Sequence, residues 1–332
     1  MPTRSPRFRT TTALFSLLVA GTVALSGCAP TPSGEGSADA AWSFTDDLGV
    51  TVTLDHAPKR VAGLTDILAT LMDYGVEPIA SFGQFSLEDD GRFDAFDTSG
   101  IAQVGTSYGE IDLEALALAK PDIIVNHIYP IDEDGTIEDD QLRFDFKDLA
   151  QQQQVEKIAP LVTIYMGGEG EKVIERTADL AVALGADPDV IAATKDDFDK
   201  AAEQLTAAAE KSKVQVTVMY ADADGVYIVK AADEPTTQLY SDLGVKFTQP
   251  TPEGYYWGIY SWENATEIGG DAVLLSKDGY QRDELLKQKT LAGNAALTAD
   301  QVHTWGLAPM DYAAQADYMT ELADWLGTVT PL

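Results

Sequence analysis

Pro188-Asp-Val-Ile-Ala-Ala-Thr-Lys-Asp-Asp-Phe-Asp-Lys-Ala-Ala-Glu-Gln-Leu-Thr-Ala-Ala-Ala-Glu-Lys-Ser212 contains no glycine and one proline, at its first position. Proline suits the first turn of a helix, where its missing N–H has no intrahelical partner anyway. The stretch therefore reads as one helix, separated by Ala186-Asp-Pro-Asp189 from the helical run that begins at Glu171. Twenty-five residues at 1.5 Å each span about 37 Å. That is long for a simple crossover and divides the chain into halves.

Each half alternates strands with helices. Before the helix come a hairpin over 42–54 around Asp46-Asp-Leu-Gly49, strands at Arg60–Leu64, Pro78–Phe82, Asp122–Asn126 and Leu161–Tyr165, and helices at Thr65–Tyr74, Leu113–Ala119 and Gln141–Gln153. After it come strands at Val214–Tyr220 and Val226–Lys230 joined by Asp222-Ala-Asp-Gly225, then a helix at Thr236–Leu243. Further helices at Trp262–Ile268, Asp283–Gln288 and Tyr312–Leu326 and strands at Ala272–Ser276 and near Val302 complete this half. The spacing predicts an α/β fold of two lobes, 42–187 and 213–332, joined by the long helix over 188–212.

The N-terminus has the layout of an export signal: Arg4, Arg7 and Arg9, an apolar run from Ala13 to Leu25, then Leu25-Ser-Gly-Cys28. The run is shorter than the roughly 20 apolar residues a spanning helix needs. Cys28, the only cysteine, excludes a disulfide within the chain, and its setting resembles a bacterial lipobox. That resemblance implies removal of residues 1–27 and acylation, palmitate included, at Cys28, with 29–41 as a flexible tether to the membrane. The processed chain carries 19 basic against 54 acidic residues, a formal charge of −35. Such a surface repels nucleic acid and anionic headgroups.

Six further stretches resemble those of the iron-siderophore and cobalamin-binding proteins of bacterial ABC importers. They are Phe44-Thr-Asp-Asp-Leu-Gly-Val-Thr-Val-Thr-Leu54, Pro58-Lys-Arg-Val-Ala62, Val104-Gly105, Asp112-Leu-Glu-Ala-Leu116, Lys120-Pro-Asp-Ile-Ile124 and Ser261-Trp-Glu263. The resemblance runs from about residue 42 to the C-terminus. It implies a ligand cleft between two lobes on a rigid helical backbone, a monomer, no intrinsic cofactor, and an ABC permease with its ATPase as partner. It also implies that Glu114 and Glu263, one on each lobe, meet arginines of the permease.

Ligands of open α/β lobes sit beyond the C-terminal ends of strands. The candidates there are Phe85, Arg92, Tyr108, His127 and Tyr129 in the first lobe, and Tyr220, Tyr256, Trp257, His303 and Trp305 in the second. Aromatic side chains offer stiff apolar faces with a polar edge, which suits a bulky chelate. Trp257-Gly258 resembles the tryptophan that ferrichrome-binding members present to ligand, and Tyr129 lies near their cleft tyrosine. At Tyr108 this chain departs from those members, which carry an arginine there. Of the processed chain's five arginines, at 60, 92, 143, 176 and 282, only Arg92 and Arg143 fall near the expected cleft. A trianionic ferric catecholate needs several converging cations, so the expected cargo is a neutral or cationic ferric hydroxamate.

Haem and cobalamin stay open as cargo, as does a lipid-anchored sensor or adhesin of the same fold. Zinc or manganese capture would need three or four converging ligands, and the chain has only His56, His127 and His303 besides its acids. No Gly-x-Ser-x-Gly, His-Glu-x-x-His or phosphate-cradling glycine loop points to an enzyme.

Overall fold

The computed structural model describes residues 41–252, 254–306 and 309–332. The expected signal, the expected acylation site Cys28 and the expected tether up to residue 40 lie outside the described residues. The described residues form one compact unit.

The first lobe opens with the hairpin β1 (Trp42–Thr45) and β2 (Thr51–Leu54), in which Trp42, Phe44 and Val52 alternate inward. It continues through β3 (Val61–Leu64), α1 (Thr65–Asp73), β4 (Pro78–Phe82), β5 (Ala102–Gln103), α2 (Leu113–Ala119), β6 (Ile123–Ile128), α3 (Leu149–Ile158), β7 (Leu161–Tyr165) and α4 (Gly170–Ala183). Its sheet is wholly parallel, in the order β5-β4-β3-β6-β7. A parallel sheet covered on both faces has near-continuous apolar strands, and β6 is buried at every position.

The connecting helix α5 (Pro188–Ser212) has the bounds read from the sequence. Asp187 caps it by accepting the Asp189 N–H at 2.9 Å, and Lys213 ends it in the left-handed conformation at φ 54°. The second lobe follows: β8 (Gln215–Ala221), β9 (Val226–Val229), α6 (Pro235–Asp242), β10 (Lys246–Phe247), β11 (Trp257–Tyr260), β12 (Ala272–Ser276), α7 (Arg282–Leu285), α8 (Ala295–Thr298), β13 (Val302–Trp305) and α9 (Tyr312–Leu326). Its sheet is mixed, in the order β11-β9-β8-β12-β13, with β10 also on β8; β9 runs antiparallel to both neighbours.

Phe198, Ala201, Leu205 and Ala209 recur at helical spacing as the buried stripe of α5, and Phe198 meets Tyr312 of α9 edge-on at 5.3 Å. One hydrophobic core takes in Ile67 and Val125 of the first lobe, Leu205 of α5, Val218 of the second sheet and Met319 of α9. The first lobe also holds the start of α9. The Tyr312 N–H donates to the Tyr74 hydroxyl at 2.9 Å, and the Thr177 hydroxyl donates to the Met310 carbonyl at 2.6 Å. Gly170 is required where α4 meets α6, since a Cβ there would lie 2.2 Å from the Pro235 carbonyl oxygen.

Two predicted helices differ. Over 141–148 the chain is a loop: Asp145 takes the left-handed conformation at φ 65°, and Asp148 starts α3 by accepting the Gln151 N–H. Within Trp262–Ile268 only a single 3-10 turn, Ala265–Glu267, forms.

Candidate functional site

A series of aromatic rings crosses from one lobe to the other beyond the strand ends. In the first lobe Tyr108 stands 59% exposed, edge-on to Phe144 at 6.0 Å, and Phe144 meets Tyr129 at 5.6 Å. Tyr129, one residue past β6, touches Tyr256 of the second lobe at 6.0 Å. Tyr256 packs on Trp257 at 5.0 Å, and Trp257 in turn meets Tyr220, Tyr227 and Trp305 at 6.5, 6.1 and 6.3 Å.

Local backbone aims these rings. Tyr256 has φ 64°, costly for a residue with a side chain, and is held by its N–H donating to Asp233 and its carbonyl accepting the Lys230 N–H, both at 2.9 Å. That turn starts β11, whose alternation then puts Trp257 and Ile259 on one face. Tyr227 lies opposite Ile259 and Tyr220 opposite Tyr227, so all four share that face. Tyr108 is set by its neighbour Gly109, whose N–H donates to Asp145 at 3.3 Å and whose carbonyl accepts from Gln151 at 2.9 Å.

Arg92 is near the site but committed. It contacts Asp66 at 2.7 Å and Asp90 at 2.9 Å, a grouping with net negative charge. Burial raises the Asp66 carboxyl, but the charge and hydrogen bond of Arg92 more than offset this and hold it below the ordinary carboxylate value. His127 is fully buried; among the described residues neither ring nitrogen has a hydrogen-bond partner, and its Nε2 lies 3.9 Å from Asp66. Wedged between Tyr129 and Phe144, the imidazole is pushed by burial down to about 4, so it is neutral and acts as part of the ring packing. At the mouth a recess of about 520 Å³ is lined from both lobes by Asp132, Glu133, Lys230 and Tyr255. Lys230 there sits 3.1 Å from Asp233 and 4.0 Å from Glu133.

The structure thus brings together Tyr108, His127, Tyr129, Tyr220, Tyr256, Trp257 and Trp305. His303 is elsewhere: it bonds Glu321 at 3.1 Å and stacks on Trp325 at 5.3 Å, under α9. Phe85 is exposed in the loop after β4 and, among the described residues, joins none of the ring contacts. Arg143 donates to Thr163 rather than standing free over the rings. Tyr227 and Phe144 were not singled out from sequence. Strand alternation with Val229 could have placed Tyr227; the Phe144 position depends on the loop that replaces a predicted helix. Glu114 and Glu263 are exposed on different lobes, and His56 pairs with Asp55 in the hairpin region. Among the described residues no group of three or more His, Cys, Asp or Glu is placed to hold a metal ion, and no helix is long and apolar enough to cross a membrane.

Asp145 carries a pH signature. Burial pushes its carboxyl up to about 7, above the ordinary 3.8, and among the described residues its Oδ2 has no partner. A folded-state value above the unfolded one means its stabilisation is complete below about pH 4 and is lost as pH rises through about 7. His127, depressed below its ordinary 6.5, has the opposite sign and costs stability as pH falls toward 4. Asp145→Asn is expected to remove the downward contribution between pH 4 and 7, so that urea-unfolding free energy, relative to the parent, rises with pH across that window. A difference independent of pH would mean the carboxyl does not titrate there.

The model of the family described as periplasmic binding protein matches residues 94–308. The chain belongs to that family. Members are extracytoplasmic ligand-binding proteins rather than enzymes. Among solved structures, this family member is similar to DesE, a ferric-siderophore receptor protein from Streptomyces coelicolor, at 26% identity and TM-score 0.77, over 88% of this chain and 99% of that one. The siderophore periplasmic binding protein from the fuscachelin gene cluster of Thermobifida fusca matches at 20% identity and TM-score 0.60, over 82% and 97%. Staphylococcus aureus SirA, complexed with staphyloferrin B, matches at 18% identity and TM-score 0.58, over 86% and 98%. The last two speak to the fold alone. No curated protein matches the chain.

Proposed function

We propose that this chain is the solute-binding component of an ABC importer that captures a ferric hydroxamate siderophore and delivers it to the permease. The observation that carries the reading is the ring series Tyr108-Phe144-Tyr129-Tyr256-Trp257-Tyr220, which spans both lobes while the neighbouring cations Arg92 and Lys230 are engaged by carboxylates. Ferric ion with three hydroxamates is neutral and needs apolar faces with hydrogen-bonding edges; a tris-catecholate is a trianion and would meet uncompensated negative charge here. Similarity to a ferric-siderophore receptor supports the cargo class. Cys28 is the proposed acyl anchor, and Glu114 and Glu263 the proposed contacts with permease arginines, since paired charges held apart on one body fix orientation. The ferric chelate is cargo rather than cofactor, and the protein acts as a monomer.

Titration of the intrinsic tryptophan fluorescence with ferrioxamine B, ferrichrome, a ferric catecholate, haem and cobalamin tests this. Saturable submicromolar quenching by a hydroxamate is expected; a response to the catecholate, haem or cobalamin alone would overturn the cargo. In the same preparations Glu114→Ala/Glu263→Ala is expected to keep quenching but lose siderophore-dependent uptake. Parental uptake by that variant would remove the docking role.

A further inference from the structure

The outer part of the second lobe's cleft face holds three half-buried rings in mutual contact. Tyr220 lies 5.4 Å from Tyr227, Tyr227 lies 6.1 Å from Trp257, and Trp257 lies 6.5 Å from Tyr220. Ile259, 58% exposed, extends the surface on the Tyr227 side. Two turns press against this platform. The turn from β8 to β9 brings Asp222, whose Oδ2 accepts the Tyr220 hydroxyl at 3.1 Å while its Oδ1 accepts the Asp224 and Gly225 N–H groups at 2.8 and 3.3 Å. The turn after β12 brings Asp278 and Gly279, and a Cβ at Gly279 would sit 2.7 Å from the Tyr220 ring.

An uncharged apolar ligand could use the rings alone; the sign of the rim selects further. Asp222, Asp224 and Asp278 surround the two phenols, and the cation in those turns, Lys277, is exposed and leaves the sum negative. Burial first, then these carboxylates, raises both phenols, so they stay neutral donors. Donation from the Tyr220 hydroxyl to a carboxylate also enriches its ring in electron density. Aromatic faces attract cations through their quadrupole.

Resting on the siderophore reading above, we infer that Tyr220, Tyr227 and Trp257, rimmed by Asp222, form a cation subsite, and that the chelate this protein takes up carries a protonated amine beside its iron centre. The amine lies over the rings with Asp222 as counter-ion, while the neutral iron centre occupies the ring series toward Tyr129.

The test compares ferrioxamine B, whose pendant amine is protonated at neutral pH, with its N-acetylated, uncharged form, on the purified protein by calorimetric titration. The cationic form is expected to bind about tenfold more tightly at low ionic strength, with the ratio shrinking as salt is raised. Asp222→Asn, which keeps an acceptor for Tyr220, and Tyr227→Leu are each expected to cut that ratio at least threefold, and Tyr227→Phe to preserve it. Circular dichroism identifies any variant that has not folded. Equal affinity for the two forms in the parent protein, or a ratio unmoved by both Asp222→Asn and Tyr227→Leu, would overturn the subsite and leave the hydroxamate reading standing. Binding of neither form would overturn that reading as well.

Discussion

Trp257→Ala is expected to weaken siderophore binding by about 30- to 150-fold. A tryptophan presents 150–250 Å² of surface, worth about 4–6 kcal/mol when fully removed from water at about 25 cal/mol per Å². Roughly half of that is already spent against Tyr256, Trp305 and the neighbouring core, leaving about 2–3 kcal/mol for a ligand, which is the stated range in affinity. The same truncation opens a void beside Trp305 and costs stability, about 3 kcal/mol or more. Trp257→Phe separates the two effects because it retains a ring in the contact with Tyr220 and Tyr227. Calorimetry is the right reporter, since the substitution also removes a fluorophore. An affinity within threefold of the parent, in a folded Trp257→Ala protein, would take the cleft away from this face of the second lobe.

Arg92→Ala is expected to be the most damaging substitution for stability, at about 3–5 kcal/mol near pH 8, because it leaves buried carboxylates without their counter-charge. Asp66 and Asp90 both bond to this guanidinium, and Asp90 is almost wholly buried. Without Arg92 the burial that raises the Asp66 carboxyl is no longer offset, so its folded-state value moves above the unfolded one. Stability of the variant is then greatest at low pH and falls as pH rises, so the loss relative to the parent shrinks toward pH 5. Asp66→Asn in the Arg92→Ala background is expected to restore part of it. Urea unfolding at pH 5 and pH 8 measures all of this, and a parental midpoint at pH 8 would show that the network contributes nothing to stability.

Arg92 also shows where sequence reading stops. An arginine in a loop beyond a strand looks available to an anionic ligand; only the fold brings Asp66 to it from the start of α1, 26 positions earlier. His127 was equally misleading, since its burial and its lack of hydrogen bonds are set by Tyr129 and Phe144 closing over it. Features governed by local rules were legible. The bounds of α2, α5, α9, β4, β7 and β12 follow from caps, proline placement and apolar spacing. The strand β11, Trp257–Tyr260, is not legible from sequence, because its pairing with β9 at the sheet edge is a long-range choice. The helix expected over 141–153 starts late because Asp145 is drawn back to hold Gly109, a contact 36 residues distant. The place of Tyr129 past β6 is legible from a strand end and that of Trp257 from aromatic density, whereas that of Tyr227 requires the register of two strand pairs.

The seating of α9 on the first lobe bears on how the chain can be made. Met319, Leu322 and Leu326 belong to the same core as Ile67 and Val125, and Tyr74 and Thr177 wait for the backbone around Tyr312. Domains commonly condense in order of synthesis, N-terminal first. Here the N-terminal lobe lacks part of its own interior until α9 has been translated. A lobe built this way closes its interior only once α9 has joined it, a late step that suits a family whose members work outside the cytoplasm.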